Sequence, residues 1–243
     1  MSRLRLTIKG PAESGGLIAI NGSTPMDNID PRSLYPDYDV LAKRTSLSWN
    51  DATRRVIDAR LAVPREPRFF SGEQWATLVA VCRRILPQPA DRPEVPIAAL
   101  LDNLLRTDDT QGFRVDPLPY DGPAWKQGLV ALEAEARAAY HAAFPALSER
   151  VQDALLKEAQ AGRLHHPAWA PMTAALFFKH RILTDIPALY YAHPTSWSEI
   201  GFGGPAGPRG YVRMGLNRRD PWEAREVGAT SQAPARALTR HAR

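Results

Sequence analysis

The stretch FFSGEQWATLVAVCRRILP, residues 69–87, contains the clearest helix signal in the chain. Ser71 can accept a hydrogen bond from a first-turn amide, while the side chain of Gln74 reaches back to the Ser71 amide, an arrangement known as a capping box. Apolar side chains then recur at helical spacing until Pro87, which cannot continue a helix. They are Trp75, Leu78, Val79, Cys82, Ile85 and Leu86. The pattern predicts a helix with one face in a hydrophobic core.

Further helices are predicted on both sides of this one, because the same apolar periodicity recurs between helix-breaking residues. Pro187 is expected to kink or split the last of them before Tyr190. Since no succession of strands is recognisable, the predicted fold class is all-α. We expect a compact multi-helix domain with a long irregular N-terminal arm and a Gly/Pro-rich C-terminal segment. The additional helices are predicted from Ser48 to Val63, near Pro96 to Leu105, from about Ala124 to Phe144, from Leu147 to Ala161, and from about Pro171 to Leu183.

The composition predicts four regions along the chain. Residues 1–46 are rich in glycine and proline punctuation, which favours turns and extended backbone, so we expect an extended arm there. Its Tyr35 and Tyr38 can pack either on the chain's own core or on a partner. The remaining regions are a helical domain at 47–192, an irregular partner-docking segment at 193–216, and a basic, flexible tail at 217–243.

Charge and residue usage argue against several functions. The formal net charge of the 243 residues is +5, but most of the excess comes from arginines after Arg209, so nucleic-acid binding is not predicted. Cys82 is the only cysteine, which excludes an internal disulfide and a CxxCH haem-attachment site. The six histidines form no HxxxH or HExxH pair, so no metal site is predicted. No apolar run reaches the ~18 residues that span a bilayer.

Motifs for catalysis or cofactor binding are also missing from the sequence. The glycines around Gly203 lack the preceding strand and following helix that a dinucleotide-binding fingerprint requires. Glu133 and Glu135 lie two residues apart on a predicted helix and face different ways, so we interpret them as solvated side chains rather than a catalytic pair. We therefore expect no catalytic, cofactor-binding or metal-binding residue in this chain.

Residues 190–211, YYAHPTSWSEIGFGGPAGPRGY, combine large aromatic side chains with prolines and glycines. No regular secondary structure is expected after Ala192. The segment can either fold onto the helices of its own chain or be completed by another protein. Tyr, Trp, Phe and Arg dominate interface hot spots, which favours the second interpretation.

Several motifs together resemble a known family, the small subunit (subunit 3, or gamma) of gluconate 2-dehydrogenase and related sugar dehydrogenases. The likeness extends from about Phe69 to Tyr211. The most distinctive part is the C-terminal one, and the N-terminal motif alone is weak. The motifs that carry the likeness are FFSGEQW at 69–75, ILP at 85–87, His193-Pro194 to Trp197, EIGFGGPA at 199–206 and PRGY at 208–211.

The resemblance implies a complex in which another subunit performs the chemistry. A large flavoprotein of the glucose-methanol-choline (GMC) oxidoreductase type, containing FAD, oxidises the substrate, and a multihaem cytochrome c subunit often accepts the electrons. The small subunit carries neither redox group; it associates with the flavoprotein, aids its maturation, and in many members carries a twin-arginine export signal. This N-terminus shows no such signal, which predicts a cytoplasmic protein, or a periplasmic one if it is exported with its partner.

We therefore predict a non-catalytic small subunit of a flavin-dependent gluconate or sugar dehydrogenase complex. Two alternatives remain: a free-standing helical protein-binding module or regulator, and an enzyme whose catalytic residues converge only in space. The expected partner-binding residues are His193, Trp197, Glu199, Phe202, Gly203, Gly204, Pro205, Arg209 and Tyr211.

Overall fold

Eight α-helices make up most of the part of the chain that the structure describes. A computed structural model describes residues 34–90, 92–107, 115–205 and 222–225, and these ranges contain no β-strand. The predicted all-α fold class is therefore confirmed. The helices are α1 (Asp51–Leu61), α2 (Gly72–Ile85), α3 (Ile97–Arg106), α4 (Asp121–Tyr140), α5 (Glu149–Gln160), α6 (Ala174–Phe177), α7 (Leu183–Ala192) and α8 (Pro194–Trp197).

The predicted start of α2 is confirmed in detail. Ser71 Oγ accepts a hydrogen bond from the Gln74 amide, and Gln74 Oε1 accepts one from the Ser71 amide, so both halves of the capping box are present. One face of the helix then enters the main core through Leu78, Val81 and Cys82. Trp75 and Val79 are only partly buried, so the buried face is narrower than the apolar stripe suggests.

The main hydrophobic core is built from α2 to α7 around Trp125 of α4. The Trp125 indole is fully buried, meets the Phe177 ring edge to face at 5.2 Å between centroids, and donates from Nε1 to Asp185 Oδ2 at 2.7 Å. Helix α4 can approach Phe177 closely because Gly128 has no side chain. A Cβ added there would lie 2.3 Å from Phe177 Cζ.

The two glutamates of α4 are not solvated, so that interpretation was wrong. Glu133 Oε2 accepts a hydrogen bond from the Phe144 amide at 2.9 Å. Glu135 Oε1 accepts from the His166 amide at 2.7 Å and from Trp169 Nε1 at 3.1 Å. Both carboxylates satisfy donors of short 3₁₀ turns, Phe144–Ala146 and Pro167–Trp169, which pack beside α4.

The helix predicted from Pro171 to Leu183 is interrupted earlier than Pro187. A π-helical turn, Phe178–Ile182, separates α6 from α7, and the Leu183 amide bonds to the Phe178 carbonyl five residues back. Pro187 lies inside α7, which continues to Ala192. Of the two outcomes predicted for this proline, a kink or a split, the split does not occur; the departure from α-helical bonding comes one turn before it.

Residues 34–61 pack against the C-terminal segment rather than lying free of the fold. A 3₁₀ helix, Val40–Thr45, precedes α1, and together with α1 it contributes to a second, smaller hydrophobic cluster. Tyr38 is packed against this cluster. Tyr35 lies over Gly201, where an added Cβ would come within 2.5 Å of its ring. Both tyrosines therefore pack on their own chain, and both stay half-buried. The four buried residues of the cluster are Val40, Trp49, Ile57 and Trp197.

Candidate partner-docking site

The residues after Ala192 contain a short helix, α8, contrary to the prediction of no regular structure. Proline is well suited to the first position of a helix, where its missing amide hydrogen is not needed, and Pro194 occupies that position. His193 caps the helix, because its Nδ1 accepts a hydrogen bond from the Thr195 amide at 3.3 Å. Ser196 Oγ then donates to the Tyr190 carbonyl at 2.6 Å. Pro194 and Ser196, in the segment predicted to be irregular, thus build a defined turn.

Trp197, at the end of α8, fastens the segment to the second hydrophobic cluster. Its side chain is 3% exposed, and its Nε1 donates to the Tyr191 carbonyl at 2.7 Å. The guanidinium carbon of Arg60, on α1, lies 5.7 Å from the centre of the indole ring. The same arginine donates to the Ala192 carbonyl at 3.1 Å. Helix α1 and the segment therefore hold each other through both apolar packing and hydrogen bonding.

Two buried polar side chains flank α8. Glu199 accepts a hydrogen bond from the Tyr190 hydroxyl at 2.7 Å, and Arg92 lies 4.0 Å from its other carboxylate oxygen. His193 Nε2 has no hydrogen-bond partner among the described atoms. Burial, and then the positive charges of Arg65 and Arg60, lower the pKa of His193 to about 4. The imidazole is therefore neutral near pH 7.

Two glycines allow the chain to turn back over these aromatic rings. Gly201 and Gly204 have φ angles of +66° and +72°, in the left-handed region that residues with a Cβ rarely adopt. An added Cβ on Gly204 would lie 3.1 Å from the Trp197 ring. Between them, the Gly203 carbonyl accepts a hydrogen bond from Lys43 Nζ at 2.6 Å. The backbone after α8 is consequently held close to the 3₁₀ helix Val40–Thr45.

Three large apolar side chains remain at the surface of this otherwise well-packed segment. Tyr191 is 47% exposed, Ile200 40% and Phe202 49%. The Phe202 ring meets the buried Trp197 ring edge to face, with centroids 5.3 Å apart. The exposed Phe202 ring is thus supported by a buried side chain. Exposed aromatic side chains that are held in this way are typical anchors of protein interfaces.

The expected partner-binding residues fall into three groups. His193, Trp197 and Glu199 are buried by the chain itself, so a partner can reach at most their edges. Phe202 is exposed, and Gly203, Gly204 and Pro205 are half-buried. Arg209 and Tyr211 lie outside the described residues. Contact of each of these residues with a partner stays a prediction.

Sequence reasoning missed the residues that complete this surface from elsewhere in the chain. Lys43 and Arg60 come from regions assigned to the arm and the first helix, and only the fold brings them to α8. Tyr191 and Ile200 stand within the aromatic stretch, but no periodicity distinguishes their exposed side chains from the buried Tyr190 and Trp197. A local pattern does not reveal which of several adjacent rings faces outward.

Metal-binding and membrane-spanning features do not occur in the described ranges. No three His, Cys, Asp or Glu side chains come together there as a metal site would require. None of the helices among these residues is long and apolar enough to span a bilayer.

One comparison with known proteins identifies a relationship. The family model described as gluconate 2-dehydrogenase subunit 3 matches residues 72–204, from the first turn of α2 to Gly204. No curated protein and no solved structure matches the chain.

Proposed function

Since the chain belongs to the gluconate 2-dehydrogenase subunit 3 family, we propose that it is the non-catalytic small subunit of a flavin-dependent gluconate or sugar dehydrogenase complex. In this role it supports assembly, maturation or export of the large subunit. That subunit is a GMC-type flavoprotein and carries the FAD, while this chain carries no cofactor. A multihaem cytochrome c subunit is the proposed electron acceptor, and the periplasm is the compartment if the two proteins are exported together.

The observation that carries this proposal is the exposed apolar surface of Tyr191, Ile200 and Phe202, which we call the aromatic face. These side chains project from a segment that is otherwise fixed by Trp197 and Glu199. Rigid aromatic side chains lose little conformational entropy on binding, so they make efficient contacts with a partner. The matched family range includes the whole aromatic face, and a subunit of a complex needs such a surface.

The buried ionisable groups of this site support a binding role rather than a catalytic one. Glu199 accepts a hydrogen bond from Tyr190. His193 as a whole is 4% exposed, and its unpaired Nε2 is buried. A general acid or base must come within hydrogen-bonding distance of the atom from which it takes a proton. Neither side chain offers that access to a substrate in solution.

Coexpression with the flavoprotein tests the proposal. The tagged chain should retain the large subunit through purification and bring down flavin absorbance near 450 nm, a wavelength at which this chain alone does not absorb. Phe202→Ala should weaken the complex by at least about tenfold, because loss of an interface anchor costs about 1.4 kcal/mol or more. Tyr140→Ala is the matched control, since Tyr140 is a 43% exposed aromatic side chain at the far end of α4. It should leave the dissociation constant unchanged.

Two results would reject the proposal. If the wild-type chain purifies as a stable monomer and brings down no flavin, the free-standing binding module becomes the better interpretation. If the purified chain oxidises a sugar acid without added flavoprotein, it is an enzyme in its own right.

A further inference from the structure

A groove of about 790 Å³ lies between α2, α3 and the connection that joins them. Its apolar wall includes Trp75, Val79, Leu86 and Ile97. This volume falls within the range that holds a drug-sized ligand or a few side chains of a peptide. The groove is separate from the aromatic face, which contributes none of its lining residues.

Hydrogen bonds and ion pairs hold the wall of the groove on two sides. Gln88, in the α2–α3 connection, donates from Nε2 to the Val95 carbonyl at 2.9 Å and accepts from the Val95 amide at 2.7 Å, which ties the two ends of the connection together. On the other side, Arg84 pairs with Asp153 and Glu149 of α5, each at 2.7 Å. The groove is therefore preorganised, which lowers the entropic cost of binding.

The charges at the rim are unbalanced. The Arg84 guanidinium and the Glu149 carboxylate form an ion pair, so neither is available to an occupant. Arg65 and Arg83 form no ion pair with any carboxylate in the described part of the chain, and Arg92 has only the distant Glu199 at 4.0 Å. Among the described lining residues, the rim therefore presents three guanidinium groups and one uncommitted carboxylate, Glu94. Guanidinium groups bind carboxylates in a fixed, bidentate geometry, which makes an acidic segment the complementary occupant.

The groove offers binding but no obvious reactive group. Cys82 is among its lining residues, yet burial, and then the nearby negative charge of Glu94, raise the pKa of its thiol to about 12. A thiol with such a pKa is a poor nucleophile at neutral pH.

The groove also adjoins the candidate docking segment through two of its arginines. Arg92 lines the groove and approaches Glu199, which follows α8 directly. Arg65 lines the groove as well, and it is close enough to His193 to act on that side chain electrostatically. The groove and the segment that carries the aromatic face are therefore neighbours in the fold.

We propose that this groove is a second docking site for the same flavoprotein, and that it receives a segment with an apolar side chain flanked by Asp or Glu residues. The proposal rests on the proposed function above. The apolar wall accepts the side chain, and Arg65, Arg83 and Arg92 pair with the carboxylates. Two separated contacts on one rigid domain fix the orientation of the partner, which the aromatic face alone does not.

A charge-reversal experiment on the full chain tests the groove. Arg65→Glu combined with Arg83→Glu should raise the dissociation constant of the flavoprotein complex by at least about tenfold, and should reduce its dependence on salt. Lys179→Glu is the control, because Lys179 is exposed and contributes neither to the groove nor to the aromatic face. It should change the dissociation constant by less than about twofold.

Photo-crosslinking identifies the occupant. A benzophenone side chain at Ala90, an exposed position that lines the groove, should crosslink in the complex to a flavoprotein peptide that contains Asp or Glu. Crosslinking to a second copy of this chain, or no crosslink in a complex that forms normally, would overturn the proposal. So would charge-reversed and control variants that bind equally well. These outcomes leave the proposed function intact, whereas a wild-type chain that binds no flavoprotein removes both.

Discussion

Trp197 and Phe202 touch each other, yet their substitution should affect different properties. Trp197 is 3% exposed inside the second cluster, so Trp197→Ala should lower the free energy of unfolding of that region by about 3 to 5 kcal/mol. Phe202 is half-exposed, and Phe202→Ala should cost less than about 1.5 kcal/mol. Urea denaturation followed by tryptophan fluorescence measures both. If the free energy of unfolding of Trp197→Ala is within about 0.5 kcal/mol of that of wild type, the Trp197 ring does not stabilise the second cluster as its burial indicates.

His193 should make the protein less stable in mild acid. Its pKa is about 4 in the folded chain and 6.5 when it is unfolded, so between these pH values only the unfolded chain takes up the proton. The stability that neutral His193 contributes is present above pH 6.5 and is lost as the pH falls towards 4. His193→Asn keeps an acceptor for the Thr195 amide and removes the titration.

For each protein, the free energy of unfolding is measured at two pH values, and the difference between them is compared. The loss of stability from pH 7 to pH 4.5 should be smaller in His193→Asn than in wild type. Asp185 acts in the opposite direction over part of this range, because burial raises the pKa of its carboxyl to about 6. It is present in both proteins and so cancels in the comparison. Equal losses would mean that the imidazole is protonated while folded.

At the level of helices, the contact between α4 and α6 depends on the missing side chain of Gly128. A methyl group there would overlap the Phe177 ring, which is 1% exposed and cannot move into solvent without opening the core. Gly128→Ala should therefore destabilise the protein by about 1 to 3 kcal/mol, despite the better helix propensity of alanine. Gly72→Ala is the control, because an added Cβ on Gly72 meets nothing within 4 Å. It should be neutral or slightly stabilising, and thermal melts distinguish the two.

The helices that could be predicted from the sequence are those whose ends are marked by local chemistry. The capping box at Ser71 and the glycine at Gly162 mark the start of α2 and the end of α5 without reference to the rest of the fold. The π turn before α7 carries no such mark, since it depends on how Phe178 and Ile182 are buried. Helix α8 was missed because Pro194 was interpreted as a breaker when it stands at a first position.

The candidate site was harder to predict than the helices, because long-range contacts build it. Asp102 of α3, which lies outside that site, shows the same limit: its buried carboxylate accepts hydrogen bonds from the amides of Arg68, Phe69 and Phe70, at 2.8 to 3.2 Å. It thereby positions the chain immediately before α2. In the sequence, Asp102 is one polar residue in an apolar helix, and only the fold shows which three amides it satisfies. The aromatic segment was recognised from composition, but its buried and exposed rings could not be told apart.

For the molecule as a whole, the two hydrophobic clusters should differ in local stability. Among the described residues, the main cluster joins six helices around Trp125, whereas the second has four buried residues, from the range 40–57 and from Trp197. Burial of less apolar surface implies a smaller free energy of opening, so the second cluster should open without unfolding of the main core. The amides of α1 and α8 should therefore exchange with deuterium faster than those in the middle of α4.

If the proposed flavoprotein partner binds this chain, its binding should reduce that difference. A partner seated on the aromatic face binds only the closed form of the second cluster, so it stabilises this cluster by RT ln(1 + c/Kd), where c is the partner concentration and Kd the dissociation constant. Hydrogen–deuterium exchange of the complex should show slower exchange in α1 and α8, and little change in α4 around Trp125. Phe202→Ala removes an interface anchor but keeps the second cluster. At partner concentrations that protect wild type, the amides of this variant should still exchange at the rates of the unbound protein. Equal protection of α4 and α8 would indicate global stabilisation instead, and would place the partner elsewhere on the molecule.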